Sequence, residues 1–364
     1  MIGVLGAGQL GRMLALAGYP LGQRFRFFDT AGGAVAGHLA ELRVGAYDDP
    51  EALARFAEGL ELVTYEFENV PVAAARSLAE RVPVFPPPQA LEAAQDRLAE
   101  KTFFQSLDIP TPPFYPVLTR ADLLEGVERT GFPCVLKTRT LGYDGKGQQV
   151  LRGPEDVEGA WSRLGGPPLI LEGFVAFERE LSVLAVRGRS GELAFYPLVE
   201  NHHQGGILRK SLAPAPGLTP RLQAQAEDYA RRVLERLEYV GVLAIELFEV
   251  EGRLIANEMA PRVHNSGHWS LEGAETSQFE NHLRAVLGLP LGSTRVRGHA
   301  AMLNLIGVRP DFARVLGVRE AHLHWYGKEV RPGRKVGHVN LRADSWEEIR
   351  ARLQRLEWIV SERQ

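Results

Sequence analysis

Over the first part of the chain, short apolar runs alternate with stretches whose apolar residues recur at helical spacing. The runs at 2–5, 25–28 and 62–64 predict strands. The spacings over 9–17 and 71–80 predict helices, the second opened by Pro71 in its first turn. Strands interleaved with helices imply a parallel, doubly wound sheet. Pro86-Pro87-Pro88 closes this unit. From 89 to about 107 the pattern predicts one helix with Leu91, Ala94 and Leu98 on a single face. Ile109-Pro-Thr-Pro-Pro113 then reads as a stiff linker into a second region, which carries a short buried strand at 132–136. Further strands are predicted at 169–171, 179–187 and 192–200, followed by a hairpin over 242–258. The last region carries predicted strands at 301–306 and 335–342. A helix starts from Ser345, with Glu348 at capping-box spacing.

At 364 residues the chain exceeds one ordinary core, so two or three domains are expected. Hydrophobic content of 45% with 24% charged residues fits a soluble globular protein. A net charge of −3 carries no nucleic-acid footprint. No apolar run approaches the ~20 residues of a membrane span. Met1-Ile-Gly-Val opens directly as a strand rather than as a leader, and the single Cys134 fits a reducing compartment, so a cytoplasmic location is expected. Of 42 basic residues only Lys101, Lys137, Lys146, Lys210, Lys328 and Lys335 are lysines, which marks each weakly as a place needing a compact ammonium.

The most informative stretch is Lys137-Thr-Arg-Thr-Leu-Gly142-Tyr143-Asp144-Gly145-Lys146-Gly147-Gln148. A lysine at a strand end, followed by glycines around a second lysine, describes a loop able to close on phosphates. Its N–H groups can approach the anion, and the lysines supply charge. A second glycine loop, Gly6-Ala-Gly8-Gln9-Leu-Gly11, matches the dinucleotide fingerprint, with Asp29 where a ribose-binding acid belongs. That admits an NAD(P)-dependent oxidoreductase. The second region already carries nucleotide machinery, however, and a substrate phosphate would satisfy the same loop, so we read it as holding a phosphorylated small molecule.

In the predicted hairpin a three-residue loop, 251–253, would set Glu246 opposite Glu258. Facing carboxylates in apolar strands repel and lose hydration; Mg²⁺ bridging them to nucleotide phosphates removes both penalties, and Asn257 adds a neutral oxygen. The loop that follows crowds Arg262, His264, Asn265 and Ser266, donors suited to a small oxyanion near a transferring phosphoryl group. A zinc pair from His264 and His268 lacks cysteine or acid partners at metal spacing.

With these residues in view the chain resembles the N5-carboxyaminoimidazole ribonucleotide synthetase family of the ATP-grasp superfamily. The resemblance covers nearly the whole chain. It rests on the order and spacing of Gly6-Ala-Gly-Gln-Leu-Gly-Arg-Met13, Tyr65-Glu66-Phe-Glu68-Asn-Val70, Gln95-Asp-Arg97, the 141–148 loop, Glu172-Gly173-Phe174-Val175, Glu178-Arg-Glu180-Leu-Ser182, Glu200-Asn-His-His203, 257–262 and 264–268. It implies ATP-dependent carboxylation of aminoimidazole ribonucleotide with bicarbonate through carboxyphosphate, by a homodimer. The implied architecture is a doubly wound α/β domain (1–95), central α+β ATP-grasp lobes (96–295, lid about 114–176) and a small β-rich C-terminal cap (296–364).

The resemblance also implies roles. Arg97, Lys137 and Lys146 would contact ATP phosphates beneath the 142–148 lid. Glu172 to Val175 would hold the adenine edge and Glu180 the ribose, with His203 nearby; Glu246 and Glu258 would bind Mg²⁺. Arg262, His264, Asn265 and Ser266 would position bicarbonate. Glu68 or Glu66, Tyr143, Asp144, Lys335 and Arg342 would meet the aminoimidazole ribonucleotide, with Gln9 near its phosphate and Asp144 taking the amine proton. Lys335 and Arg342, seven apart, fall on opposite faces of an ideal strand, so a bend is required. Rival readings are another ATP-grasp ligase, such as formate-dependent glycinamide ribonucleotide transformylase, and the oxidoreductase above.

Overall fold

The computed structural model describes residues 1–142 and 146–361, so Tyr143, Asp144 and Gly145 lie outside the described residues. Strands β1 (Ile2–Leu5), β2 (Phe25–Asp29), β3 (Glu41–Val44) and β4 (Leu62–Tyr65) form a parallel sheet in the order β3-β2-β1-β4. β1 and β4 are buried throughout, which is why their sequences run apolar without alternation. The face bearing Ile2 and Val4 shares one core with Leu184, Phe279 and Leu283 from the rest of the chain.

The single helix predicted over 89–107 is two, Pro88–Gln95 and Arg97–Ser106. Asp96 between them is extended, and its side chain accepts from the N–H groups of Leu98 (2.9 Å) and Ala99 (3.1 Å). Apolar spacing continues across the break, so periodicity alone misses it. The aspartate starts a new helix because its carboxylate satisfies N–H groups that would otherwise lack partners.

A second sheet contains β5 (Phe114–Val117), β6 (Cys134–Thr138), β7 (Gln148–Leu151) and β8 (Leu169–Gly173), ordered β5-β8-β6-β7. Its core of Val117, Leu136 and Leu171 includes residues of the helices Arg120–Thr130 and Glu155–Leu164. The glycine-lysine loop joins β6 to β7.

The third sheet is antiparallel and has nine strands. These are β9 (Arg179–Arg187), β10 (Leu193–Phe195), β11 (Val199–Gln204), β12 (Ile207–Ala213), β13 (Gly241–Val250), β14 (Arg253–Ala260), β15 (His299–Ile306), β16 (Ala321–Trp325) and β17 (Lys335–Ala343). The order is β14-β13-β9-β11-β12-β15-β17-β16, with β10 also on β9. The strand predicted over 192–200 is thus interrupted. β10 and β11 follow each other along β9 with a one-residue slip across 196–198, where Pro197 has no N–H to offer the ladder. The C-terminal strands β15, β17 and β16 continue this sheet rather than building a separate one. One face is covered by the helix Pro220–Arg236; at the far end Trp346–Ser361 covers the C-terminal strands. Ser345 Oγ accepts from Glu348 N–H at 3.2 Å, the capping contact its spacing predicts.

Candidate active site

A cleft of about 620 Å³ lies between the small sheet and the large one, lined also by the N-terminal unit through Gln9 and Glu68. Its floor is the carboxylate hairpin. Glu246 and Glu258 are direct cross-strand partners, as expected, but for a different reason. The turn has two residues, Glu251 (φ 49°) and Gly252 (φ 67°), so Val250 pairs with Arg253 and a regular ladder would oppose Glu246 to Asn257. A bulge at Asn257 moves the register by one and brings Glu258 opposite instead. It also lets Asn257 and Glu258, adjacent in sequence, both line the cleft. Asn257 Oδ1 is buried and has no hydrogen-bond partner. Two opposed carboxylates with an orphaned amide oxygen alongside form an all-oxygen donor set of the kind a hard divalent cation takes.

The two acids are electrostatically unequal. Burial, reinforced by Glu258, pushes Glu246 up to about 7. Burial also acts on Glu258, but the Arg97 guanidinium, bonded to it at 2.7 Å, outweighs it and holds the carboxyl low. Glu258 keeps 38% of its side-chain surface open, so water screens part of that effect. The break at Asp96 is what turns Arg97 to this position, and Asp96 also pairs with Arg139 (2.8 Å) in the loop after β6. Arg97 reaches the Gly142 carbonyl at 3.3 Å, touching the base of the glycine-lysine loop.

Lys137, next to last in β6, bonds Glu172 on β8 at 2.8 Å. Sequence reasoning missed Lys101, which lies 3.6 Å from the same carboxylate and donates to the Asn257 carbonyl. It is almost fully buried, and that burial pulls its ammonium down. The scarcity of lysine was the available signal. Glu100, also missed, accepts from the Met259 N–H at 2.7 Å; burial, then Glu258, raises it to about 8.

Beyond the hairpin, Arg262 pairs with Glu68 across the gap to the N-terminal unit, and this pairing outweighs burial to hold Glu68 low. His264 Nε2 lies 3.3 Å from Glu246 Oε1. Burial, then Arg262, lowers its imidazole to about 3, so it is neutral. Asn265 is locked in a reciprocal amide pair with Asn304 (3.1 and 2.7 Å). Ser266 does not line the cleft. It is fully buried behind His264, its Oγ 2.9 Å from Nδ1, so its hydroxyl meets the histidine rather than the open space. His268 turns away to pack tilted against His338, ring centroids 4.7 Å apart. His203 sits 3.1 Å from Glu180, which raises it despite burial. Phe174, Val175, Gly173, Gln148 and Lys146 line the cleft, whereas Gly147 hands its carbonyl to Thr138 N–H at 2.8 Å.

The first glycine loop needs a correction. Its anion-binding N–H groups are taken by the protein's own Glu66, which accepts from Gly8 and from Gly11 (2.7 Å). A Cβ on Gly8 would stand 2.5 Å from Glu66 Oε1, so glycine there makes room for this carboxylate rather than for a phosphate. Asp29 is likewise spent on the Ala7 N–H at 2.9 Å. With both dinucleotide features occupied internally, the fingerprint carries no cofactor reading. Glu66 and Glu68, inseparable in sequence, are separated here: only Glu68 lines the cleft.

Gln9 faces the cleft and accepts from Lys328, a second lysine that sequence reasoning left without a role. The bend required near Lys335 is a bulge at Val336, which places Lys335 opposite Ile306 and Arg342 opposite Ala300, on one face. Lys335 lines the cleft. Arg342 does not; it lies at the far end of β17, 3.6 Å from Glu320.

Comparison with known proteins adds names to this geometry. Residues 1–95 match the ribonucleotide synthetase preATP-grasp domain, 102–279 the ATP-grasp domain and 300–352 the phosphoribosylaminoimidazole carboxylase C-terminal domain. The sequence is 56% identical over 359 residues, 99% of both chains, to N5-carboxyaminoimidazole ribonucleotide synthase of Pseudomonas aeruginosa. The fold superposes with TM-score 0.96 on the crystal structure of N5-carboxyaminoimidazole ribonucleotide synthetase from Thermus thermophilus, at 65% identity and 99% coverage of both chains. It superposes with TM-score 0.93 on an Aspergillus clavatus N5-carboxyaminoimidazole synthase in complex with ADP and 5-aminoimidazole ribonucleotide, at 31% identity, covering 99% of this chain and 98% of that one.

Proposed function

We propose a residue-level mechanism for this chain, which belongs to the N5-carboxyaminoimidazole ribonucleotide synthase family of ATP-grasp ligases. The enzyme carboxylates 5-aminoimidazole ribonucleotide at the expense of ATP, giving N5-carboxyaminoimidazole ribonucleotide in purine biosynthesis. The observation that carries the mechanism is the opposed Glu246–Glu258 pair with the unpartnered Asn257 oxygen, set beside Arg97, Lys101 and Lys137 in one cleft.

Bicarbonate is a poor electrophile because hydroxide leaves badly; phosphorylation to carboxyphosphate supplies a good leaving group. Lys137, Lys146 and Arg97 neutralise charge on the transferring phosphoryl group. Glu246, Glu258 and Asn257 would hold Mg²⁺, which would offset phosphate charge when bound. Glu172 to Val175 take the adenine edge, and Glu180 with His203 the ribose side. Arg262, with Glu68 behind it, and neutral His264 bind bicarbonate, the histidine as N–H donor. Asn265 lines this end of the site, and Ser266 orients the ring. For the aminoimidazole ribonucleotide we infer Glu68, Gln9, Lys328 and Lys335 as contacts, the two lysines facing its phosphate. Tyr143 and Asp144, outside the described residues, remain the candidates for closing over the substrate and taking the amine proton. Among the described residues no helix is long and apolar enough to cross a membrane; a cytoplasmic homodimer is the state we propose.

ADP release is the test. It should require bicarbonate, and aminoimidazole ribonucleotide should convert that turnover into stable carboxylated product. ADP release indifferent to bicarbonate would overturn the mechanism.

A further inference from the structure

The sheet face beneath the cleft carries a polar line where an antiparallel core would ordinarily be apolar. Ser182 on β9 lies directly opposite Glu246 on β13, and Asn201 on β11 directly opposite Ser211 on β12. All three of Ser182, Asn201 and Ser211 are buried. A buried hydroxyl or amide is costly unless bonded, and these are bonded to one another in one direction. Ser211 Oγ donates to Asn201 Oδ1 (2.7 Å), and Asn201 Nδ2 donates to Ser182 Oγ (2.9 Å). Ser182 Oγ then donates to Ser266 Oγ (2.8 Å), which lies 2.9 Å from His264 Nδ1. None of these side-chain atoms is left buried without a partner.

The direction has a consequence at the last link. An amide nitrogen only donates, so Ser182 receives from Asn201 and has its own proton to pass on. Ser266 in turn has its proton for the imidazole. Independently, the Ser266 backbone N–H points at the same Nδ1 at 3.3 Å. Both donors make Nδ1 the acceptor, so the ring proton sits on Nε2, the nitrogen facing Glu246 and the cleft. Gln278 clamps the backbone of the same residue, accepting from its N–H at 2.8 Å and donating to its carbonyl at 2.7 Å. The opposite tautomer would aim a lone pair at an incoming anion.

We propose that Ser182, Asn201 and Ser211 are positioning residues: through Ser266 they hold His264 with its proton on Nε2, so that the site offers an anion a donor. The wire is a property of the free protein; only its kinetic consequence rests on the bicarbonate reading. The experiment uses the full chain labelled with ¹⁵N-histidine, the His264 signals identified by their loss in His264→Gln. In the unliganded native enzyme Nδ1 should resonate as an unprotonated ring nitrogen and Nε2 as a protonated one. In Ser182→Ala the two should average toward each other. That variant's kcat/KM for bicarbonate should fall about fivefold, the worth of one neutral hydrogen bond, with the KM for ATP unchanged. Ser182→Thr, which restores the hydroxyl, should recover both. A native His264 protonated on Nδ1 overturns the proposal without any variant. So does a Ser182→Ala enzyme with native spectrum and native bicarbonate kinetics. Should Ser182→Ala fail to fold, Ser211→Ala at the far end of the wire is read the same way. The expected tautomer in an enzyme whose turnover ignores bicarbonate would uphold the wire and sink the bicarbonate reading.

Discussion

Replacing Glu66 by alanine should destabilise the N-terminal unit and turn its glycine loop into the anion site it resembles. The Glu66 carboxylate is almost fully buried and accepts two backbone N–H bonds, from Gly8 and Gly11 at the start of the helix Gln9–Gly18. Hydrogen bonds to a charged acceptor contribute about 1.5–3 kcal/mol each. Against that stands the cost of keeping a carboxylate buried, visible in how burial raises Glu66. The net loss is therefore about 2–4 kcal/mol, and the orphaned N–H groups account for most of it. With the whole 364-residue chain melting as one cooperative unit, that corresponds to a fall in melting midpoint of about 3–5 °C. Calorimetry on native enzyme and Glu66→Ala measures it. A second arm adds inorganic phosphate: it should raise the variant's midpoint by more than the native enzyme's, because in the variant an anion can also face the helix N-terminus. A variant as stable as the native chain, or one that phosphate stabilises no more than the native enzyme, would refute the view that Glu66 is the loop's resident anion.

Arg342→Ala should leave the KM for aminoimidazole ribonucleotide within about twofold of native, while Lys335→Ala or Lys328→Ala raises it about tenfold or more, the worth of a charged hydrogen bond; steady-state kinetics separates them. Glu246→Gln should keep the fold by circular dichroism, lower kcat about a hundredfold and raise the Mg²⁺ concentration needed for half-maximal rate. Glu100 makes stability depend on pH. Its folded value, raised by burial to about 8, exceeds its ordinary value of 4.5, so its contribution is complete below the ordinary value and is lost as pH climbs through about 8. Urea unfolding of Glu100→Gln, neutral throughout, should lack that decline between pH 5 and 9. Asp96→Ala removes a helix cap and the Arg139 pair together, so it should cost about 1–2 kcal/mol in urea melts and raise the KM for ATP several-fold by loosening Arg97.

Much of the architecture could be read from the chain because local patterns agree with the fold. Doubly buried strands such as β1 are apolar throughout, and β9 begins and ends where the sequence reading put it. What escaped were devices of one residue. Asp96 breaks a helix without disturbing the apolar spacing, and Pro197 interrupts what otherwise reads as one apolar strand. The Glu246–Glu258 pairing was legible, yet through a three-residue loop the chain does not have; a shorter turn and the bulge at Asn257 reach the same register. The bulge at Val336 shows the limit from the other side, since spacing along β17 says a bend is needed and nothing in it says where. Glu66 was misjudged because the fingerprint reports an anion-ready backbone, and the sequence does not say that the anion is a side chain from far along the chain. Ser266 was misjudged because a donor in a crowded loop reads the same whether it faces a ligand or the histidine beside it.

The continuity of the large sheet bears on how the polypeptide tolerates being shortened. β12 reaches the C-terminal strands through a main-chain ladder with β15, from Lys210 with Leu303 to Ala213 with Ala300. A polypeptide terminated ahead of β15 would bare that seam, leaving unsatisfied amides and carbonyls beside freshly uncovered apolar side chains. Such a fragment would recruit strands from its neighbours and precipitate. The residues from β15 onward are therefore a selvedge for the nucleotide-binding half, and expressing that half alone calls for a replacement border.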